Sequence, residues 1–468
     1  MPIELGPRAA VHLLNRIGYG PRPGDVERIL GMGLDRYIQG QLDAPADPEL
    51  DARLRGLNTL DYPISQVLTL YNADQRSIAV ILDQLYTAKL IRCVHGQNQL
   101  QEVLVDFWFN HFNVYIQDGF ARFSTAAYER EAIRPHALGR FRDLLGATAA
   151  HPAMLYFLDN YLSRATVTTG GRVVRGLNEN YGRELMELHT IGVDAGYTQE
   201  HVIDAARCFT GWGIDNLSTS GRFVYRPQAH DTGAKSVFGL DLPAGGGKDD
   251  GDKLLDYLAA HPKTATFIAT KLAQRFVSDD PPPRVVDSAA RAFASTGGDI
   301  REVMRAILGS AEFWAEAFGS GKAKTPLELV ASALRAADAE VSTGRAVVAY
   351  LQNMGMPLYS CVPPTGYSNR GADWINPSSQ LYRMNFGLDL AAGAIAGVSA
   401  DVRGVVRRMG GDSEDPRSVA GTISAVIFGK GLSPSTLEAA SRVAPGGPVS
   451  VAARVAGLCL ASPEMQAR

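Results

Sequence analysis

Cysteine is scarce in this chain. Cys93, Cys208, Cys361 and Cys459 lie far apart and form no CxxC pair. That spacing excludes a disulfide framework or a thiolate zinc site and fits the reduced, packed thiols of a cytosolic protein. An excess of one charge is lacking too: 46 Lys and Arg face 49 Asp and Glu, for a net charge of −3. No basic footprint therefore points to nucleic acid or an anionic membrane. No apolar run reaches the roughly eighteen residues of a membrane-spanning helix. The opening MPIELGPRAAVHLLNR has no basic segment leading into an apolar core, so it does not read as a secretory leader. The expected compartment is the cytoplasm, or the exterior if a leader had been removed. No GxSxG, GxxxxGK[ST], HExxH or strand-borne GxGxxG occurs, which leaves no nucleotide or flavin motif. GGGK at 245–248 is expected to have no strand before it and no helix after it, and reads as a flexible loop.

What is present is a globular composition, 46% hydrophobic and 20% charged, on a chain long enough for a large core. Helical periodicity dominates over 62–93, 100–114, 122–162 and from 252 onward. The expectation is a mainly α protein: a single large multi-helix domain with long functional loops and at most a small β-hairpin, RFVYRP supplying a strand. Residues 1–400 form the main helical body, with core motifs at 100–114, 153–214 and 228–240. Residues 401–468 add C-terminal helices packed on the same domain. Asp25 and Thr198 sit where helix N-caps are expected. TVTTGGRVVRGLN, rich in Gly and Thr, reads as a loop.

One stretch concentrates unusual chemistry: Asn178–His189, NENYGRELMELH. At about 100° per residue, Asn180, Glu184, Glu187, Leu188 and Ile191 fall on one arc of a helix, with Leu185, Met186 and His189 elsewhere. A helix with apolar residues nearly all round is normally buried, and buried carboxylates need a partner. Glu184 and Glu187 thus read as a buried acid/base pair whose pKa values are driven apart by burial and by each other. The structural alternative is that Arg183 pairs with Glu179 or Glu187 while Asn178 and Asn180 act as caps.

Elsewhere, His230 and Asp231 share a loop with Lys235, and functional residues concentrate in loops. Asp231 is equally suited to bonding a nearby backbone N–H. His111, among the aromatics of FWFNHF, is a ligand, an acid/base, or a buried ring bonded to a carbonyl; His189 also fits a helix C-terminus. His111, His189 and His230 with Glu184, Glu187 and Asp231 would suffice for a divalent metal such as zinc or iron. The paired Glu-x-x-His pattern of di-iron bundles is missing, however. Trp212, Tyr367 and Trp374, with Arg207, resemble the lining of a sugar or peptide groove.

The stretches LLNRIGYGP, FWFNHF, MLYFLDN, NENYGRELMELHTIGVDAGYTQEHVIDAARCFTGW, HDTGAKSVFG, KLAQRFVSD, GGDIREVMRAIL and GMPLY…PPTGY…W occur in this order over about residues 10–390. In that set and order the chain resembles the bacterial family known as domain of unknown function 1800. The resemblance implies one helix-rich unit, no particular chemistry, and a possible sulfatase-like partner protein encoded beside it.

The residues themselves point to an enzyme, a hydrolase or lyase acting on a glycan or related polymer. Glu184, Glu187, His230 and Asp231 would be catalytic, and Arg207, Trp212, Lys235, Asn180, Tyr367 and Trp374 would hold the substrate. A metal-dependent redox or hydrolytic enzyme and a non-catalytic scaffold or partner-binding protein are the alternatives.

Overall fold

The structure is a computed structural model and describes residues 6–169, 172–174, 176–319, 321–428, 431–444, 446 and 449–468. Helices follow one another from Pro7–Ile17 to Val451–Leu460. Their apolar faces merge into one buried cluster running from Ala9 to Met465, so the two ends of the chain share a core. Backbone bonds from Lys324 to Gln466 (2.7 Å) and from Arg468 to Lys322 (2.8 Å) fasten the last residues to the middle of the chain.

The Gln99–His111 helix lies at the centre of this core. Leu100, Val103, Leu104, Phe107 and Trp108 are all buried, as an all-round apolar helix requires. The Trp108 indole N–H donates to the Ala137 carbonyl at 3.0 Å. Helix starts follow local side-chain chemistry. Thr198 caps the Gln199–Cys208 helix, with the His201 ring returning a bond to the Thr198 N–H. Asp25 departs from expectation. Gly24 holds the cap with φ of 84°, a left-handed conformation that suits glycine, and Asp25 is the first helical residue.

Strand content exceeds a single small hairpin. Arg222–Tyr225, the expected strand, pairs antiparallel with Trp212–Asp215, and Lys235–Val237 pairs with Leu240–Leu242. Glu340–Val341 meets Val398–Ser399 from much later in the chain. Val167–Thr169 pairs with Arg172–Val174 in the stretch expected to be a loop. Its β-branched residues favour an extended backbone.

The larger correction concerns Asn178–His189, which does not form one α-helix. An α-helical turn, Asn180–Glu184, passes into a π-helical turn, Leu185–His189. The Thr190 hydroxyl donates to the Leu185 carbonyl at 2.6 Å, tying off the wider turn. Gly182 explains how the segment sits. A Cβ there would lie 2.6 Å from the Ala206 backbone nitrogen, so only glycine permits this approach to the Gln199–Cys208 helix. Tyr181, Leu185, Met186 and His189 are buried on that side, while Glu184, Glu187 and Leu188 are only half-buried. The two carboxylates are therefore not sealed in the core. A second π-helical turn, Glu129–Ile133, lies against the central helix. Such turns make up well under 1% of residues and recur at functional sites.

Candidate functional site

The carboxylate pair is held unequally. The Arg183 guanidinium reaches Glu187 at 3.5 Å and Glu179 at 3.2 Å, so both ion pairs foreseen as the structural alternative are made. Gln199 closes the ring, accepting from Arg183 at 2.9 Å and donating to Glu179 at 2.6 Å. Burial and the nearby Glu187 carboxylate raise the pKa of the Tyr197 phenol. Among the described residues, no hydrogen bond or ion pair holds the Glu184 carboxyl. Burial and the Glu187 charge push its pKa upward against the weaker pull of Arg183. The backbone N–H of the exposed Asn180 donates to the Asn178 side chain at 2.9 Å, a turn bond just before the helical turn, whose N-cap is Glu179 and not Asn178 or Asn180 as expected.

His230, Asp231, Lys235 and Arg207 do come together, in a closed network. Asp231 receives two bonds from Arg207, at 2.9 and 3.0 Å, and Arg207 also reaches Asp204 at 2.6 Å. Asp231 accepts from the Gly233 N–H at 2.9 Å as well, the turn bond that its position allowed. The Lys235 ammonium bonds Asp250 at 2.7 Å and the carbonyls of Asp231 and Gly233 at 2.6 and 3.0 Å. His230 lies between the Thr210 carbonyl at 2.8 Å and Asp250 at 3.3 Å. The side chains of His230 and Lys235 are 0% exposed and that of Asp250 is 2% exposed, so these groups face one another instead of a substrate. Trp212 is buried beside them, with the Lys248 ammonium 5.0 Å from its ring. Among the described residues, no hydrogen bond or ion pair joins this network to Glu184 or Glu187. Sequence reasoning missed Asp204 and Asp250. The i,i+3 spacing of Asp204 and Arg207 was a usable signal; Asp250, one acid among several in KDDGD, carried none.

The central helix carries His111, which meets His189 from the π-helical turn. The His111 ring bonds the His189 carbonyl at 3.1 Å, the carbonyl-bonded alternative, and the two rings lie 6.1 Å apart. Burial and the nearby Lys271 ammonium keep both imidazoles neutral, His189 being pushed down to about 3. His230 sits apart from this pair with Asp250. Among the described residues no group of three or more His, Cys, Asp or Glu gathers as a metal site, so the three histidines do not form one ligand set.

On the other flank, Tyr367 and Trp374 pack with ring centres 5.7 Å apart. Asn110 clamps the Tyr367 backbone, donating to its carbonyl at 2.6 Å and accepting its N–H at 2.5 Å. Lys89, Asp106, Asn113, Tyr359 and Tyr367 line a small cavity of about 30 Å³. Lys89 reaches Asp106 at 3.0 Å, and the Tyr359 hydroxyl donates to Glu129 at 2.6 Å. Burial alone would raise Glu129, but Lys89, Arg134 and Arg92 hold it down to about 2. Neither Lys89 nor Glu129 stood out in the sequence, because their partners come from separate helices.

Comparison with known proteins gives one match. A family profile described as "Protein of unknown function (DUF1800)" covers residues 12–467. No curated protein and no solved structure matches the chain.

Proposed function

The chain belongs to the DUF1800 family of proteins of unknown function, and we propose that it is an enzyme that cleaves a hydroxyl-rich polymer, a glycan or related chain, by acid/base chemistry at Glu184 and Glu187. The observation that carries this reading is the asymmetry of the pair. Glu187 is held by Arg183, whereas the half-buried Glu184 has no hydrogen bond or ion pair among the described residues and its pKa is raised beside a like charge. Two carboxyls with divergent environments supply a base and an acid at one pH. Glu187 takes the base role and Glu184 the acid role. Both project from one short segment, so they act from the same side of a substrate. That placement suits elimination better than a displacement requiring carboxylates on opposite faces of a sugar. In elimination, Glu187 removes a proton from carbon, the neighbouring C–O bond breaks, and Glu184 protonates the leaving oxygen. The half-exposed setting suits a long chain lying across the surface. Among the groups expected to help, His230, Asp231 and Lys235 serve as scaffold in this reading.

The test is incubation with a panel of acidic and neutral polysaccharides, following reducing ends and the ultraviolet absorbance of a new double bond. Wild-type protein should generate both signals, and folded Glu184→Gln and Glu187→Gln proteins neither. Reducing ends without absorbance would indicate hydrolysis. Undiminished cleavage by both variants would remove the carboxylates from the mechanism.

A second reading, a partner-binding protein, is favoured by the Pro377–Ala391 helix. It exposes Leu381 (58%), Met384 (46%) and Leu388 (39%) at i, i+3 and i+7. The partner implied by the family resemblance is a sulfatase-like protein. Co-purification that is lost in Leu381→Glu would support this reading, with Met384→Glu as a second probe.

A further inference from the structure

Two motifs unused by the proposed reaction, LLNRIGYGP and KLAQRFVSD, meet near the end of the chain. Arg16, in the last turn of the Pro7–Ile17 helix, is fully buried, and among the described residues none of its three guanidinium nitrogens finds a hydrogen-bond acceptor. The carboxylate with which it pairs, Glu316, stands 3.9 Å away, beyond hydrogen-bond reach, and is 30% exposed. The surroundings are cationic. Arg275 and Arg468 share one carboxylate, Glu328, with Arg468 at 2.6 Å, and the Arg468 Nε is also without an acceptor. Three buried guanidiniums thus face one buried carboxylate. Burial and the Arg16 charge keep the adjoining His12 neutral, pushed down to about 3.

An arginine buried without acceptors is strongly unfavourable unless an anion or water meets it. A cavity of about 70 Å³ lies beside this point, lined by His12, Asn15, Glu316, Phe428, Glu464 and Arg468 among others, with Arg16 behind Glu316. Glu316 both lines the cavity and pairs loosely with Arg16, so it stands between the guanidinium and solvent. We infer that this is a binding site for a tetrahedral oxyanion, phosphate or sulfate, which displaces the Glu316 side chain and is gripped by Arg16 and Arg468. Guanidinium forks from two distant segments suit a tetrahedral dianion, which offers acceptors in several directions, better than a planar carboxylate. With Glu316 displaced, the buried guanidiniums outnumber the one buried carboxylate beside them and favour an anion. The site is separate from Glu184 and Glu187 and does not depend on the reaction proposed for them.

The experiment is isothermal titration of the full chain, in phosphate-free buffer, with sodium phosphate and sodium sulfate. Sodium chloride at matched ionic strength and sodium acetate are the controls. One saturable site per chain is expected for phosphate or sulfate, with none for chloride and weaker binding of acetate. Arg16→Met should weaken binding by about tenfold or more, the loss of a charge-assisted contact. Glu316→Gln should tighten it by roughly threefold, because the competing carboxylate is gone. Should Arg16→Met fail to fold, Glu316→Gln and Arg468→Met decide instead. Competition by phenyl phosphate assigns the anion to the end of a larger molecule; its failure assigns it to the free ion. Absence of saturable heat from either oxyanion would mean that water satisfies Arg16 and would overturn the inference. So would affinity unchanged in both Glu316→Gln and Arg468→Met, or acetate bound as tightly as phosphate.

Discussion

Replacing Lys235 by Met tests whether the HDTGAK segment is scaffold or catalytic machinery. The Lys235 ammonium bonds Asp250 at 2.7 Å and the carbonyls of Asp231 and Gly233 at 2.6 and 3.0 Å. Without it, the Asp250 carboxylate, 2% exposed, retains among the described residues the contact with His230 at 3.3 Å. Removing one partner of a buried ion pair costs about 3–5 kcal/mol. Unfolding entropy of roughly 2.1 cal/mol/K per residue gives about 1 kcal/mol per kelvin for 468 residues unfolding as one unit. Tm should therefore fall by about 3–5 °C in scanning calorimetry. Lys235→Met combined with Asp250→Leu should recover much of the loss, since an apolar pair can replace a buried ion pair at little cost. The double-mutant cycle should show a coupling of at least about 3 kcal/mol, because the double variant loses less than either single one. A fall of less than about 1 °C in the single variant, or a double variant melting at the sum of both losses, would refute the scaffold assignment.

Further expectations concern the carboxylates, the helix contact, the clamp and the buried imidazoles. Glu184→Gln should leave stability within about 0.5 kcal/mol of wild type by urea titration, because no hydrogen bond or ion pair holds the carboxyl among the described residues, while polymer cleavage disappears. Gly182→Ala would drive a methyl to 2.6 Å from the Ala206 nitrogen, and thermal unfolding should report a loss of about 1–3 kcal/mol. Asn110→Ala removes both bonds to Tyr367; the Tyr367 amide should exchange faster in hydrogen-exchange mass spectrometry. His12 and His189 have folded pKa values of about 3 against 6.5 when unfolded. Their contribution to stability is full above pH 6.5 and is lost as pH falls toward 3, because the unfolded chain takes up the protons. His189→Gln should flatten the fall of stability around pH 5 by about 1.4 kcal/mol per pH unit, the slope of one proton; an unchanged slope would count against a buried neutral ring.

Elements shaped by near neighbours were the most legible. Thr198 before Val202 announced the Gln199–Cys208 helix, since a cap and a 3.6-residue period act within a few positions. RFVYRP held its strand, and Arg183 its partners four residues away on either side. The π-helical turn at Leu185–His189 was not legible. It arises where Leu185, Met186 and His189 all turn into the core, and no local signal marks that extra residue. HDTGAK was recognisable as a group, but its purpose depended on Asp250, which joins only when the next helix docks.

The sequence alone determined the α class, the start of the Gln199–Cys208 helix and the grouping of His230, Asp231 and Lys235, because these rest on periodicities and spacings of a few residues. Tertiary structure decided which charged groups face water and which face one another. Gly182 against Ala206 turns Glu184 and Glu187 partly outward, and Arg16 meets Glu316 and Arg468 from hundreds of positions away. Burial and charge pairing depend on what packs opposite a side chain, and that is settled only when distant segments close over a common core.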